Sequence, residues 1–284
     1  MPATPANRLP YFIGVGPPRT ATTWLHQVLA GHASLPEGKK ETDFYSKNYG
    51  QGYDWYRSFF RNADPRLPMG EFSPTYFISD DARQRIARDV PACRIICTFR
   101  DPVARAYSHW RLMVRNVWTK LEFAEAVFSQ RELRESCRYA HHLAGWQRAV
   151  GAANVLVLLQ EDLEADAQAF VDRVCDFIGA ARFPVASSAV AGQRVHSVPV
   201  APKSRRLARN ARNLMGWLND RRYHRIANAF RQSALWRFCA ERGEPFPPVS
   251  AEVDASLREH FLPEIEQLEK MIGRDLTDWK TPRR

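Results

Sequence analysis

The sequence has 284 residues, of which 41 are lysine or arginine and 31 are aspartate or glutamate, so its formal charge is +10. Hydrophobic residues make up 45% and aromatic residues 12%, which excludes a disordered chain because enough apolar surface is available to offset chain entropy. The longest apolar run, at 155–159, is too short to span a bilayer, and the first residues lack the pattern of a signal peptide. We therefore predict a single folded domain over residues 1–284, located in the cytoplasm.

Apolar periodicity predicts strands and helices that alternate along the first two thirds of the chain. Short apolar runs predict strands at 11–15, 94–99 and 154–159. Helical periodicity predicts helices at 22–31, 80–90, from Pro102 to about 116, and at 163–178. This alternation favours an α/β fold of three layers, in which helices cover both faces of a parallel central sheet.

The last third of the chain contains additions to that domain rather than a second one. Residues 180–202 have little periodicity and three prolines, which predicts a long loop or lid, and an amphipathic helix is predicted at 253–272. The segment 203–237 between them is helical and carries ten basic residues against one acid, Asp220, so the remainder of the chain has a charge of only +1. Such a segment binds nucleic acid, an anionic membrane surface, an anionic acceptor or a phosphorylated cofactor, or it forms a solvated helix face.

The five cysteines do not form a metal or disulfide pattern. They are scattered and include no CxxC pair, and Cys93 and Cys97 stand too far apart along a strand to be bridged. We therefore expect reduced core thiols and no metal site, which agrees with a cytoplasmic location.

The turn between the first strand and the first helix is a candidate phosphate site. A turn that leads from the carboxyl end of a strand into a helix presents free backbone N–H groups, which phosphate commonly occupies. Arg19 adds a positive charge, and Thr20, Thr22 and Thr23 add hydroxyl donors. No Gly-Lys-Ser/Thr sequence closes the turn, which disfavours an ATPase of the Walker type. The alternative is that the threonines only cap the helix and Arg19 is solvated.

A second candidate anion site begins where the strand at 94–99 ends. Arg100 stands at the end of that strand, and Ser108 lies two helical turns further along the chain. Because ligands bind at the carboxyl ends of parallel strands, the two sites together are suited to one ligand with two separated phosphate-type groups. The alternative is a helix capped by Asp101 with a surface arginine before it.

These two segments resemble the sulfotransferases that use 3'-phosphoadenosine 5'-phosphosulfate. PRTATTW at 18–24 is similar to the phosphosulfate-binding loop of that family, commonly PKSGTTW, and RDPVARAYS at 100–108 is similar to its 3'-phosphate motif. GEFSPTY at 70–76, QEDL at 160–163 and the ending at 268–279 are similar to bacterial and carbohydrate-type members. The resemblance implies a P-loop-like phosphosulfate-binding turn.

The resemblance also assigns roles to individual residues. It implies that Arg19 contacts the 5'-phosphosulfate and that residues 20–23, Ala21 included, cradle it. Arg100 and Ser108 would hold the 3'-phosphate, and Trp24 would either stack near the adenine or pack in the core. Ala21 replaces the usual glycine, which requires that this position does not adopt a positive φ angle.

A general base is implied by a third similarity. KKETDFY at 39–45 resembles the Lys-Glu-x-x-Phe-Phe segment of heparan-sulfate-type members, whose glutamate is the base, so Glu41 is the predicted catalytic base beside Arg19. Its alternative is a solvated loop carboxylate. Asp43, Glu71 and His109 are the other candidates.

The predicted function is therefore sulfuryl transfer from 3'-phosphoadenosine 5'-phosphosulfate, by in-line attack and without a metal. The acceptor is a hydroxyl or amine of a glycan, a glycolipid or a small natural product. The alternatives are a nucleotide kinase-like phosphoryl transferase and a non-enzymatic binder of anionic polymers or a membrane surface, both of which the resemblance disfavours. A nucleic-acid partner is not expected, contact with a membrane surface stays open, and the sequence does not indicate an oligomeric state.

Overall fold

The computed structural model describes residues 9–187, 200–202, 204–221, 223, 226, 229–230, 233, 236 and 243–282. Their centre is a four-stranded parallel sheet of β1 (Phe12–Gly16), β2 (Gly70–Phe72), β3 (Arg94–Phe99) and β4 (Val155–Leu159). The strand order is β2-β1-β3-β4, so the first strand lies in the middle of the sheet. The strands at 11–15, 94–99 and 154–159 are confirmed to within one residue, whereas β2 was not predicted because three residues are too few for a periodic signal.

The helices in chain order are α1 (Thr22–Val28), α2 (Gly52–Arg57), α3 (Asp80–Asp89), α4 (Pro102–Arg115), α5 (Phe123–Ser129), α6 (Arg131–Glu135), α7 (Tyr139–Val150), α8 (Gln160–Ala165), α9 (Ala167–Ile178), α10 (Arg205–Asp220), α11 (Ala251–Ile272) and α12 (Thr277–Lys280). Asp166 divides the helix predicted at 163–178, because its side chain accepts a hydrogen bond from Ala169 N and caps α9. Gly179 ends α9 in the left-handed conformation, as predicted.

Apolar side chains from alternate positions of the strands enter two separate cores, one on each face of the sheet. On one face Ile95 and Cys97 join a large cluster that includes residues of α3, α4, α7 and α11. On the other face Ile96 packs with residues of α1 and α9. Helices therefore cover both faces, and the predicted three-layer α/β fold with a parallel sheet is confirmed.

The N-terminus of α4 is held by two buried charges. Asp101 accepts hydrogen bonds from Val103 N and Ala104 N, and its other oxygen lies 2.9 Å from a guanidinium nitrogen of Arg258 on α11. Arg258 also pairs with Asp254 at 2.8 Å, so each buried charge has a partner. This network attaches α11 to the end of the sheet where β3 passes into α4.

The remaining predictions about the fold are answered in part. Cys93, Cys97, Cys137 and Cys175 are buried free thiols, while Cys239 lies outside the described residues. Within the described ranges, no group of three or more His, Cys, Asp or Glu side chains is arranged to hold a metal ion. None of the helices in the described part of the chain is long and apolar enough to cross a membrane. Most of the predicted lid, residues 188–199, also lies outside the described residues, as does much of 222–242.

Candidate active site

The first predicted phosphate site is a tight turn whose backbone adopts several left-handed conformations. Gly16, Arg19 and Ala21 have φ angles of 90°, 77° and 66°. The fully buried Thr20 hydroxyl donates to the Pro17 carbonyl oxygen at 2.7 Å, and it pairs with the Thr98 hydroxyl of β3 at 2.7 Å. Thr20 therefore fixes the turn against the sheet and uses its hydroxyl within the protein.

Ala21 has a positive φ angle, although its sequence predicted that this position would avoid one. It is the N-cap residue of α1 and lies in the left-handed region, where an L-residue with a Cβ costs about 1–2 kcal/mol. The expectation that this position avoids a positive φ is wrong. Because an alanine side chain accepts no hydrogen bond, α1 does not begin with the threonine cap that the alternative interpretation required.

The two predicted anion sites meet directly. Arg19 Nε donates to Ser108 Oγ at 3.0 Å, across 89 residues of sequence. Burial, followed by the charges of Arg115, Arg100, Arg111 and Arg105, lowers the pKa of Arg19 to about 10. The guanidinium is still protonated at neutral pH, so positive charge concentrates around Ser108.

A ligand with several negative charges fits this arrangement, because it would relieve the repulsion among the arginines. Arg100 at the end of β3 is itself largely buried, and burial lowers its pKa. Arg111 and Arg115 were not predicted. The sequence could have indicated both arginines, because they follow Ser108 by three and seven residues and therefore lie on the same side of α4.

The cationic helix α10 approaches the same group of arginines. Burial, followed by the charge of Arg115, lowers the pKa of Arg212 to about 10. Arg212 Nε donates to Asn116 Oδ1 at 3.0 Å, which fixes α10 beside the carboxyl end of α4.

Trp24 has the placement of a core residue. Its side chain is almost fully buried, and its ring meets Phe170 of α9 edge to face at a centroid distance of 6.3 Å. This is the core packing that was the alternative for this residue. A contact between Trp24 and adenine stays a prediction.

Glu41 lies next to the first turn through Lys40. Lys40 Nζ is 2.8 Å from Glu41 Oε1 and 3.4 Å from the hydroxyl of Thr22, the first residue of α1. The Glu41 side chain is 40% exposed and that of Lys40 is 18% exposed. A partly exposed carboxylate is thus linked through one ammonium group to the predicted phosphosulfate turn.

The other candidate bases have different surroundings. Asp43 accepts a hydrogen bond from the Thr75 hydroxyl at 2.7 Å and lies 3.6 Å from Lys47 Nζ. His109 is buried, and burial followed by the charges of Arg105 and Arg19 lowers its pKa to about 3. Neither residue has the access that Glu41 has.

Glu71 is fully buried and surrounded by hydroxyl groups. Its carboxylate accepts hydrogen bonds from Tyr56 and Tyr76 at 2.9 Å, from Ser73 at 3.1 Å and from Thr42. Burial raises the pKa of Glu71, and these four hydrogen bonds act in the opposite direction. The geometry is that of a structural carboxylate that fixes Thr42, the residue after Glu41.

His26 was also missed by sequence reasoning. It lies on α1 with its ring edge-on to Phe72 at 6.2 Å, and burial followed by the charge of Lys40 lowers its pKa to about 4. The imidazole is therefore neutral at neutral pH. Phe72 of β2 is fully buried and thus packs against a neutral imidazole.

The chain is similar to known proteins over about two thirds of its length. The family model for the sulfotransferase domain matches residues 10–190. The human bifunctional heparan sulfate N-deacetylase/N-sulfotransferase 3 is 32% identical over 197 residues, which cover 61% of this chain and 22% of that protein. The N-deacetylase/N-sulfotransferase 1 of Xenopus laevis is 30% identical over 198 residues, with the same coverage. The match thus spans about a fifth of the length of these relatives.

A solved structure shares the fold over nearly the full length. The sulfotransferase from Alicyclobacillus acidocaldarius superposes with a TM-score of 0.68 at 20% identity, covering 96% of this chain and all of that one. The family match covers both turns that Arg19 and Ser108 join. On these grounds, the chain belongs to the sulfotransferase family.

Proposed function

We propose that this protein transfers the sulfuryl group of 3'-phosphoadenosine 5'-phosphosulfate to a hydroxyl or amine of an acceptor. The contact between Arg19 and Ser108 carries the proposal, because it joins the two family motifs within a group of arginines. A nucleotide with phosphate groups at both ends of its ribose satisfies that distribution of charge. When bound, it supplies an activated sulfuryl group.

The residues of this chain divide the work of binding. Arg19 and the backbone of residues 20–23 hold the phosphosulfate end, and Arg100 with Ser108 holds the 3'-phosphate. Because Arg19 stays protonated at neutral pH, it acts by stabilising negative charge rather than by donating a proton. Lys40, 3.4 Å from the Thr22 hydroxyl, is a second cation at the phosphosulfate end.

Glu41 is the proposed general base. Its carboxylate is accessible and takes the proton of the acceptor hydroxyl or amine as that group attacks. In the free protein Lys40 pairs with this carboxylate. A bound anion next to Thr22 would compete for the Lys40 ammonium and leave Glu41 available to the acceptor.

A glycan is the proposed acceptor class. The relatives with the matching segment are named as heparan sulfate N-sulfotransferases, which act on a glycan amine. The segment KKETDFY, which carries the proposed base, is also the segment that resembles heparan-sulfate-type members. A cytoplasmic location is proposed from the four buried free thiols, which a reducing compartment maintains.

Titration calorimetry with adenosine 3',5'-bisphosphate tests the nucleotide site. The wild-type protein should bind it, and Arg100→Glu should abolish binding because it replaces an attractive charge with a repulsive one. Arg148→Glu is the matched control. Arg148 is exposed near the end of α7, which leads to the amino end of β4, whereas the proposed nucleotide site lies at the carboxyl ends of the strands. Circular dichroism verifies that both variants are folded. Absence of binding to the wild-type protein would refute the proposal.

Incubation with ³⁵S-labelled 3'-phosphoadenosine 5'-phosphosulfate tests the acceptor class. N-deacetylated heparan, intact heparan, a glycolipid and a simple phenol would be compared as acceptors. Label on a glycan supports the proposed class. Label on the phenol alone would overturn the glycan assignment and leave the reaction type intact.

A further inference from the structure

The outer side of α10 exposes apolar and cationic side chains together. Leu207, Leu214 and Trp217 are 45%, 44% and 48% exposed, although the adjoining side of the helix is already buried through Ala208 and Met215. At 100° per residue, the three exposed apolar residues fall within about a quarter of the helix circumference. Three exposed arginines accompany them. Arg206 and Arg221, the residue after α10, lie within or next to the angular range of the apolar residues, and Arg209 lies about 80° beyond Trp217. We call these six residues the cationic helix face.

A turn packed against the start of α10 exposes a further aromatic ring. Arg205 donates to the Thr119 carbonyl oxygen, which places the residues after α4 against the first turn of α10. Trp118, directly before Thr119, is 65% exposed, and Lys120 after it is exposed as well. Val117 has a φ of 62°, a conformation that β-branched residues rarely adopt. The turn thus holds a large aromatic ring in solvent near the first turn of α10.

The composition of this surface indicates its partner. A helix that combines exposed Trp and Leu with arginines on the same side is typical of segments that lie in the interface of an anionic bilayer. The apolar side chains would enter the boundary of the acyl chains, and the guanidinium groups would bind lipid phosphates. Arg221 already lies over the Trp217 ring at 4.6 Å, and Trp217 contacts Tyr223 at 6.2 Å.

Charge and apolar complementarity favour an anionic lipid surface over a second copy of the chain or nucleic acid. A second copy of the chain would bring arginines against arginines, which is unfavourable. Nucleic acid would satisfy the arginines and leave Leu207, Leu214 and Trp217 without an apolar environment. An anionic lipid surface satisfies both components.

We propose that the cationic helix face docks the protein on an anionic membrane surface. Because α10 is fixed to α4 through Arg212 and Asn116, docking would hold the helix that carries Ser108 at a set height above the lipid. The site would then face acceptors at or near the membrane. This inference goes beyond the proposed reaction and does not depend on it.

Co-sedimentation of the full chain with vesicles tests the proposal. Vesicles of phosphatidylcholine with 30% phosphatidylglycerol would be compared with pure phosphatidylcholine, at low salt and at high salt. We expect binding to the anionic vesicles that weakens about tenfold or more in the variant Arg206→Glu/Arg209→Glu. The variant Leu214→Ser/Trp217→Ser should show a similar loss, because apolar burial contributes with the charges.

Two control variants change the same residue types elsewhere. Arg148→Glu removes an exposed arginine, and Phe128→Ser removes a ring that is 42% exposed on α5. Both should bind vesicles like the wild-type protein. Equal binding to neutral and anionic vesicles, or unchanged binding of the two face variants, would overturn the proposal. So would a dimer in analytical ultracentrifugation that only the face variants abolish.

Discussion

Glu41 and Glu71 are two carboxylates that are connected through Thr42, and they differ in exposure and in hydrogen-bond partners. Thr42 follows Glu41 in the chain and donates its hydroxyl to Glu71. The Glu41 side chain is 40% exposed and pairs with a single ammonium, whereas Glu71 is fully buried and accepts four hydroxyl hydrogen bonds. The same functional group is therefore available for chemistry in one position and committed to structure in the other. Access and partners, not residue type, separate the two roles.

The largest expected effect comes from Glu41→Gln. Loss of a general base lowers turnover by about 10²–10⁴-fold, because the acceptor proton then has no positioned carboxylate to receive it. Binding of adenosine 3',5'-bisphosphate and thermal stability should stay unchanged, since the side chain is exposed. Steady-state kinetics with calorimetry measures both. A variant that keeps the full rate would move the base elsewhere and erase the contrast with Glu71.

Glu71→Gln should act on stability instead. The amide nitrogen cannot accept hydrogen bonds, so at least one of the four hydroxyls loses its buried partner, at a cost of about 3 kcal/mol in the free energy of unfolding. Urea denaturation measures this cost. Glu164→Gln, an exposed carboxylate on α8, is the control and should change stability by less than about 0.5 kcal/mol. A stable Glu71→Gln protein that has lost turnover would give Glu71 the catalytic role.

Thr42 connects the two carboxylates, so Thr42→Val tests whether Glu71 supports the loop that carries Glu41. It removes one hydroxyl donor to Glu71 and the acceptor for Phe44 N at 3.2 Å, while it preserves side-chain volume. We expect a loss of about 2 kcal/mol in stability and a smaller fall in turnover than Glu41→Gln causes. Should stability stay the same, Glu71 would not be holding this loop.

Lys40→Met separates the ion pair from the hydrogen-bonded network. Because the pair is partly exposed, its loss should change the free energy of unfolding by less than about 1 kcal/mol. Turnover should fall by about tenfold or more, since a cation at the phosphosulfate end is lost. Lys47→Met is the matched control, because it removes a lysine that pairs with Asp43 and is more exposed than Lys40. Equal kinetics for the two variants would contradict a role for Lys40.

Ala21→Gly is expected to have the smallest effect and touches neither carboxylate. Glycine relieves the left-handed strain at φ 66°, so stability should rise by about 1 kcal/mol, or about 2–4 °C in melting temperature. Differential scanning calorimetry is sufficient to detect it. A lower melting temperature would mean that the greater freedom of glycine in the unfolded chain outweighs the relief of strain.

Contiguous residues determined much of this protein. The strands predicted at 94–99 and 154–159 and the helix predicted to begin at Pro102 were readable because periodicity and helix starts depend on neighbours within one or two turns. The turn with Arg19 and the pair of Arg100 and Ser108 were found as separate sites for the same reason.

Only the tertiary structure supplied the direct contact between those sites and distinguished the surroundings of the two carboxylates. The bond from Arg19 to Ser108 spans 89 residues, and the donors to Glu71 come from as far as Thr42, 29 residues away. Such contacts depend on which strands become neighbours. β2 lies beside β1, although its three residues are too few to show strand periodicity. Long-range packing fixes that order, so it also decided the left-handed backbone of Ala21, the burial of Glu71 and the exposure of Glu41.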